Sequence, residues 1–136
     1  MQLEFHQLDR RLEHLRAGNP ERQQRLVASL ATSGQQSPIV VVESAGRFLV
    51  IYGYKRIAAL QQLGRDTVEA TVWAMSEAEA LLLDRTLRFR QQETALEQGW
   101  LLREMEQHHG YLLAELARRF DRSVSWVSRR LALVEL

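Results

Sequence analysis

Cysteine is absent from the 136 residues of this chain, and so is any apolar run long enough to cross a bilayer. Without cysteine there is no disulfide, no thiolate nucleophile and no thiolate metal site, which excludes thiol-dependent redox chemistry. A membrane span needs about 20 apolar residues, and the acidic N-terminus with its Arg10-Arg11 pair lacks the apolar core of a signal peptide. We therefore expect a cytoplasmic protein that has no membrane partner.

Lysine is almost absent as well, because Lys55 is the one lysine among 18 basic residues. The formal net charge of +1 conceals an uneven distribution. Between positions 118 and 130, five arginines stand against a single acid, Asp121, which leaves a local excess of four positive charges. Clusters of this kind are typical of nucleic-acid-binding proteins. The five residues are Arg118, Arg119, Arg122, Arg129 and Arg130.

The first half of the chain alternates between helix and strand signals. Leucines 8, 12 and 15 indicate a short amphipathic helix or an ordered arm from Gln7 to Arg16. Asn19-Pro20 predicts a helix start, and Gly34 predicts its end. Three strands are predicted at Ile39–Val42, 47–52 and 67–73, the first two joined by the turn Ser44-Ala45-Gly46.

The second half reads as helical throughout. Ser76 with Glu79, and Thr94 with Glu97, have the spacing of capping boxes that open helices. The second of these helices should stop at His108-His109-Gly110. The two histidines point about 100° apart on a helix, and no nearby carboxylate has a spacing that completes a metal site.

The segment 47–60 joins a β-branched and aromatic strand to a helix through Gly53. The predicted helix runs to about Leu63 and carries Lys55 and Arg56 in its first turn. Free backbone N–H groups and two cations at a helix start form a site that suits an anion such as phosphate. The alternative is a tight turn with two solvated cations.

Near the C-terminus, the apolar spacing is that of a helix-turn-helix over about 112–133, with Asp121 in the turn. Ala117 would allow a close helix crossing, and Ser123 would cap the second helix. Asp121 stands where glycine is common and tolerates left-handed backbone. Val124 and Val127 would pack inward or touch a thymine methyl. The predicted DNA-binding residues are Arg118, Arg119, Arg122, Ser123, Ser125, Ser128, Arg129 and Arg130.

Two alternatives to DNA binding remain at this point. One is an ordinary helical hairpin with a solvated arginine face, and the other is an adaptor whose helix pair binds protein. Trp126 would be a packing residue that could also contact a DNA backbone.

Together these motifs resemble the ParB family of chromosome and plasmid partition proteins. The similarity lies in their order: the helix ending at Gly34, the strand and turn 49–56, the segment 63–68, and the helix-turn-helix with its Ser123–Leu131 stretch. The resemblance implies an α+β fold, a ParB/sulfiredoxin-like domain with a small mixed sheet followed by an all-α helix-turn-helix domain. We expect an N-terminal arm at 1–18, the α+β domain at 19–91 and the helical DNA-binding domain at 92–136. Sulfiredoxin activity needs a cysteine and is excluded.

The resemblance further implies CTP with Mg²⁺ as a cofactor. The family's Gly-Glu-Arg-Arg phosphate motif falls on 53–56, and its Glu-Asn-x-x-Arg motif falls near Thr86, Leu87 and Arg90. The carboxylate and amide that should organise the metal are missing here, so we expect no metal ligands, no catalytic residues and no hydrolysis of CTP. The predicted nucleotide or phosphate site is Gly53, Tyr54, Lys55, Arg56, Arg88 and Arg90.

By this resemblance the chain is a partition-type protein that binds duplex DNA, with a regulatory or self-association domain before the helix-turn-helix. The implied partners are a second copy of the chain and a ParA-like ATPase, and the implied location is on the nucleoid or a plasmid. The alternative is a CTP-dependent DNA clamp with slow CTPase activity. A nuclease is disfavoured because we recognise no carboxylate cluster.

Overall fold

The structure, a computed structural model, describes residues 1–15, 20–35, 37–87 and 94–135. The chain divides into two compact units. Unit 1 takes the described residues of Met1–Glu13 and Gly18–Asp84, and unit 2 those of His14–Ala17 and Arg85–Leu136. The division after Asp84 lies close to the domain boundary expected at 91/92, which itself falls outside the described residues.

Unit 1 is built on a five-stranded mixed sheet. Its strand order is β1-β5-β3-β4-β2. The pairs β1/β5 and β3/β4 are antiparallel, whereas β3/β5 and β2/β4 are parallel. The small mixed sheet of the α+β prediction is therefore confirmed. The strands are β1 (Gln2–Glu4), β2 (Leu8–Asp9), β3 (Ile39–Ser44), β4 (Arg47–Tyr52) and β5 (Thr67–Val72).

The β3–β4 hairpin forms where the turn residues predicted it. Val42 pairs with Leu49, and both are fully buried. Ala45 and Gly46 have φ values of 52° and 78°, so both central residues are left-handed. This backbone twist matches the right-handed twist of the flanking strands.

The N-terminal segment differs from the expected amphipathic helix. It contributes β1 and β2 to the sheet, with single 3₁₀ turns at Phe5–Gln7 and Glu13–Leu15. Leu8 and Leu12 are buried. Of the two alternatives for 7–16, the helix is wrong, because leucine spacing alone does not reveal that Leu8 and Asp9 pair with a strand 40 residues further along the chain.

Two helices, α1 (Pro20–Ser33) and α2 (Tyr54–Gln62), pack against each other in unit 1. α1 ends as predicted, because Gly34 has a φ of 73° and its N–H donates to the Leu30 carbonyl at 2.9 Å. The predicted cap Asn19 lies outside the described residues. α3 (Glu77–Leu87) follows Ser76, whose hydroxyl accepts from the Glu79 N–H at 3.2 Å.

Unit 2 contains α4 (Ala95–His109), α5 (Leu113–Arg119) and α6 (Val124–Leu133). Both bonds of the predicted Thr94–Glu97 capping box are present, at 3.1 and 3.0 Å. α4 ends at Gly110, whose φ is 69°. The core is apolar and comes from all three helices: Leu101, Leu102, Met105, Leu116, Ala117, Phe120, Trp126, Val127, Leu131 and Val134. Across the ranges that the structure describes, no helix has the length and apolarity of a membrane span.

Candidate nucleic-acid interface

α6 has one buried side and one open side. Val127 and Leu131 point into the core of unit 2. The opposite side is exposed and carries Ser125, Ser128 and Arg129 together with the apolar Val124, which is 46% exposed, and Ala132. The valines were predicted to pack inward or meet a thymine methyl, and the structure assigns the first role to Val127 and leaves Val124 outside. The exposed residues along this side are Val124, Ser125, Ser128, Arg129 and Ala132.

The turn before α6 has the local bonds that the sequence indicated. Ser123 is extended and caps the helix, since its Oγ accepts from the Trp126 N–H at 3.1 Å. Asp121 adopts left-handed backbone, with a φ of 55°. The Arg122 N–H donates to the Ala117 carbonyl at 2.8 Å and closes the end of α5. Both the cap and the left-handed turn residue are confirmed.

A close crossing holds α6 against α4, and sequence reasoning missed it. A Cβ built on Gly99 would lie 2.5 Å from the Arg130 carbonyl oxygen and 3.0 Å from a Val134 methyl. Only a residue without a side chain fits there. We had expected Ala117 to mark the close approach, and it is buried as that role requires. The signal for the second crossing was an isolated glycine inside a helical pattern.

The five arginines of the cluster differ in exposure. Arg118, Arg119, Arg122 and Arg129 are exposed. Arg130 is half-buried, and its Nε donates to Gln98 Oε1 on α4 at 3.0 Å. The cluster therefore has four exposed side chains and one that is half-buried and bonded to α4.

Two aromatic rings lie beneath the cluster. Phe120 and Trp126 have ring centroids 6.0 Å apart at an interplanar angle of 42°. The guanidiniums of Arg122 and Arg130 lie 5.3 and 5.0 Å from the Trp126 centroid. That of Arg85 lies 4.1 Å from the Phe120 centroid. Trp126 is buried, as its predicted packing role requires. Its contacts with arginine were missed, although positions 122, 126 and 130 are spaced by four.

In unit 1, the Gly53 turn matches the predicted strand-to-helix junction. Gly53 has a φ of 114° and precedes α2 without any side-chain cap. A Cβ at this position would collide with the side chain of Ile39, lying 2.7 Å from its Cβ. The glycine is required both by its backbone conformation and by its contact with β3.

The side chains after Gly53 point in different directions. Tyr54 is buried and donates its hydroxyl proton to the Val50 carbonyl at 2.6 Å, and burial raises the pKa of this phenol. Its side chain therefore lies in the core of unit 1, and its backbone N–H is the group that remains at the helix start. Lys55 is exposed, and its carbonyl accepts from Gln23 Nε2 at 2.9 Å.

Arg56 has an unusual environment. Its guanidinium carbon lies 5.6 Å from the Tyr52 ring centroid. One terminal nitrogen, Nη1, is buried and has no hydrogen-bond partner within the described ranges. A buried guanidinium donor without an acceptor suits an anion. Two other predicted members of this site, Arg88 and Arg90, lie outside the described residues.

The histidine pair at the end of α4 has a carboxylate neighbour after all. Glu104 is buried, and its Oε2 lies 3.1 Å from His108 Nδ1 and 3.6 Å from His109 Nε2. Glu104 precedes His108 by one helical turn, which brings its carboxylate to the pair. In the described portion of the chain, no three His, Cys, Asp or Glu residues form a metal site.

Comparison with known proteins identifies the family to which this chain belongs. The sequence model of the ParB N-terminal domain family matches residues 1–84. The nucleoid occlusion protein of Halalkalibacterium halodurans is 28% identical over 118 residues, which cover 85% of this chain and 41% of that protein. The chain thus spans less than half the length of this curated relative.

Solved structures with the same fold include C-terminally truncated ParB from Caulobacter crescentus, in complexes with CTP-γ-S and with the centromeric parS site. The complex with CTP-γ-S has a TM-score of 0.58 and 20% identity, and the match covers all of this chain and 78% of that one. The parS complex has a TM-score of 0.56 and 21% identity, and the match covers all of this chain and 72% of that one. The match to sulfiredoxin from Arabidopsis thaliana covers 68% of this chain and 97% of sulfiredoxin, with a TM-score of 0.52 and 25% identity. The ParB/sulfiredoxin-like fold prediction is confirmed.

Proposed function

Because this chain belongs to the ParB N-terminal domain family, we propose that it binds duplex DNA through α5 and α6. The observation that carries this proposal is the open side of α6, where serines and Arg129 stand on a helix whose other side is buried. An exposed polar helix fixed by its apolar side has the form of a recognition helix for a major groove.

The N-terminal half of α6 would read base edges. Ser125 and Ser128 can donate to or accept from bases, and Arg129 can bond guanine O6 and N7 with both ends of its fork. Val124 is placed beside them on the same exposed side and can contact a thymine methyl. Ser123 has its hydroxyl oxygen engaged by the helix cap, so its remaining hydroxyl proton could reach a phosphate.

The other arginines would hold the sugar–phosphate backbone. Arg118, Arg119 and Arg122 surround the turn and are exposed. Phosphate contacts fix the orientation of the protein without reading sequence, and they make affinity fall steeply with salt.

We further propose a partition or nucleoid occlusion role, on DNA in the cytoplasm at the nucleoid or a plasmid. The support is the family and the curated relative, a nucleoid occlusion protein. Self-association of the chain and a ParA-like ATPase partner belong to the same proposal.

The Gly53 turn supports a second candidate, binding of a nucleotide through its phosphates. The uncapped start of α2, exposed Lys55 and the unpaired Nη1 of Arg56 suit negatively charged oxygen atoms. The Caulobacter ParB structure with CTP-γ-S has the same fold. Bound CTP would supply a triphosphate charge that this turn could hold. Within the described ranges we find no carboxylate set that fits Mg²⁺, and we derive no hydrolytic step.

The DNA proposal is tested with two duplexes, one carrying parS and one with the same bases scrambled. Fluorescence anisotropy at several salt concentrations should give binding to both at low salt and a linear fall of log affinity with log salt. The double variant Arg118→Ala, Arg129→Ala should bind more weakly, with a salt slope smaller by about 2. The matched control Arg25→Ala, Arg65→Ala removes the same charge from exposed positions in unit 1 and should change little.

Two results would contradict the DNA proposal. The first is the absence of binding to either duplex at low salt, which would favour the protein adaptor. The second is an equal loss in both double variants, since binding would then follow net charge and not the helix pair.

The nucleotide proposal is tested by calorimetry with CTP, with and without Mg²⁺. We expect heat of binding that is lost in Arg56→Ala and kept in Arg65→Ala. No heat at millimolar CTP would remove this candidate. Release of inorganic phosphate from CTP would instead favour the clamp with CTPase activity.

A further inference from the structure

Trp126 stands between two arginines in sequence and contacts both in space. Arg130 follows Trp126 by four residues within α6 and so lies on the same side of this helix, whereas Arg122 reaches the indole from the turn before α6. Both guanidinium carbons are within about 6 Å of the indole centroid, the range in which a cation is attracted to a ring face.

The indole is held firmly in place. Trp126 is 8% exposed, and its backbone N–H is engaged by the Ser123 cap. Its ring lies against Phe120, which is also buried and carries the guanidinium of Arg85 on its face. The Trp126 side chain has only two rotatable torsions, and packing against Phe120 fixes the position of its ring.

A fixed ring changes what the two arginines can do. Stacking covers one face of the planar guanidinium and leaves the N–H groups at its edge available for a bidentate acceptor. It also restricts side-chain rotamers before any ligand arrives, so less entropy is lost on binding. Arg130 is further restricted by its bond to Gln98.

The ligand that we expect at the N–H groups of Arg122 and Arg130 is a phosphate. No carboxylate in the described part of the chain forms an ion pair with Arg122 or Arg130. Two positive charges held this way fit the oxygens of a nucleic-acid backbone better than a neutral base edge.

We propose that Trp126 is a positioning residue for DNA binding: its indole holds the guanidiniums of Arg122 and Arg130 with their edges towards backbone phosphates. The inference rests on the proposed function, because it concerns the same duplex. It assigns Trp126 a role beyond packing and gives Arg130 a phosphate contact although its side chain is half-buried.

The test compares two replacements of one ring in the full chain. Trp126→Phe keeps an aromatic face, whereas Trp126→Leu removes it, and both leave space in the core. With the scrambled duplex, Trp126→Leu should bind about tenfold more weakly, with a salt slope lower by 1 to 2, and Trp126→Phe should stay within about threefold of the parent. Circular dichroism melts report whether each variant folds.

A double-mutant cycle separates positioning from packing. Arg122→Gln should cost several-fold in affinity in the parent protein and almost nothing in Trp126→Leu, because the contact is already lost. Equal costs in both backgrounds, or equal losses for the Phe and Leu variants, would overturn the inference while leaving DNA binding intact.

A measurement without DNA completes the design. In the free protein, the Nε–H proton resonances of Arg122 and Arg130 should be displaced by the indole ring current and return to ordinary positions in Trp126→Leu. If they do not move, the arginines do not stack and the inference fails. If they move but the parent protein binds no duplex, the stacking exists and the proposed function fails together with the phosphate role.

Discussion

Helices α2 and α6 each begin two residues from an arginine in the sequence, yet their first turns are built in opposite ways. α2 follows Gly53 without a side-chain cap, and its first side chain, Tyr54, points inward. α6 follows a capping Ser123, and its next two side chains are exposed. The first helix therefore offers mainly backbone donors and two cations, which suit a phosphate. The second offers a row of side chains, which can distinguish one base sequence from another.

The largest expected effect comes from Gly53→Ala. The new Cβ would need left-handed backbone and would overlap Ile39. We expect a loss of about 3 kcal/mol or more in the free energy of unfolding of unit 1, measured in urea. Gly64→Ala is the matched control: Gly64 has a φ of 75° but nothing within 4 Å of the added atom, so its cost should be only about 1 kcal/mol. Equal losses of unfolding free energy in the two variants would show that the overlap with Ile39 contributes nothing and that backbone strain accounts for the whole cost.

Gly99→Ala tests the corresponding constraint in unit 2. Alanine in an exposed helix interior is normally favoured over glycine by about 1 kcal/mol. Here the added Cβ would meet the Arg130 carbonyl, so we expect unit 2 to lose about 2 kcal/mol instead. Thermal unfolding measures the change. Ala132→Gly, on the exposed side of α6, measures the difference in helix propensity between alanine and glycine without a close contact. A stabilised Gly99→Ala variant would contradict the close crossing.

Ser123→Ala asks how much the cap contributes to the start of α6. Loss of the bond from the Trp126 N–H should lower the stability of unit 2 by about 1 kcal/mol. Ser128→Ala removes an exposed serine from the interior of the same helix and should stay within about 0.5 kcal/mol of the parent. Chemical denaturation of the two variants side by side gives the difference. Equal stabilities would mean that the cap bond is not formed in solution.

Tyr54→Phe should cost about as much as Ser123→Ala near pH 8, but its effect should disappear at alkaline pH. Removing the bond to the Val50 carbonyl should cost about 1 kcal/mol near pH 8. Because burial raises the pKa of Tyr54 when folded, the parent protein is stabilised fully below about pH 10, where the unfolded phenol is still protonated. Above that pH, unfolding releases a proton, and stability falls by about 1.4 kcal/mol per pH unit.

Denaturant titrations at pH 8 and pH 11 measure this difference. The gap between the parent and Tyr54→Phe should close by about pH 11. Tyr52→Phe leaves Tyr54 in place and should retain the alkaline loss. A gap that stays constant with pH would mean that the phenol is not buried.

The elements that the sequence predicted correctly are those with local causes. The Thr94–Glu97 capping box, the Ser123 cap and the left-handed Asp121 each depend on residues within four positions of one another. The hairpin turn at Ala45-Gly46 is equally local. Short-range hydrogen bonds and backbone preferences decide such features, so a single sequence is sufficient to find them.

The features that were missed depend on distant partners. β1 has only three residues, and it is a strand because Leu3 lies opposite Val68 on β5. Gly99 matters because the Arg130 carbonyl crosses it. Tyr54 took the place of a family glutamate in our interpretation of the phosphate motif, but its side chain fills the core. No periodicity within a single segment reports such tertiary contacts.

The crossing of α4 and α6 at Gly99 also bears on how such a protein could change its target over evolutionary time. The contact is made by the Arg130 carbonyl and the buried Val134, so the path of α6 does not depend on which residues occupy its outer side. Substitutions at 124, 125, 128 and 129 could then alter the preferred DNA sequence one base pair at a time. A lineage could acquire new binding sites while keeping the helix that presents them in the same position.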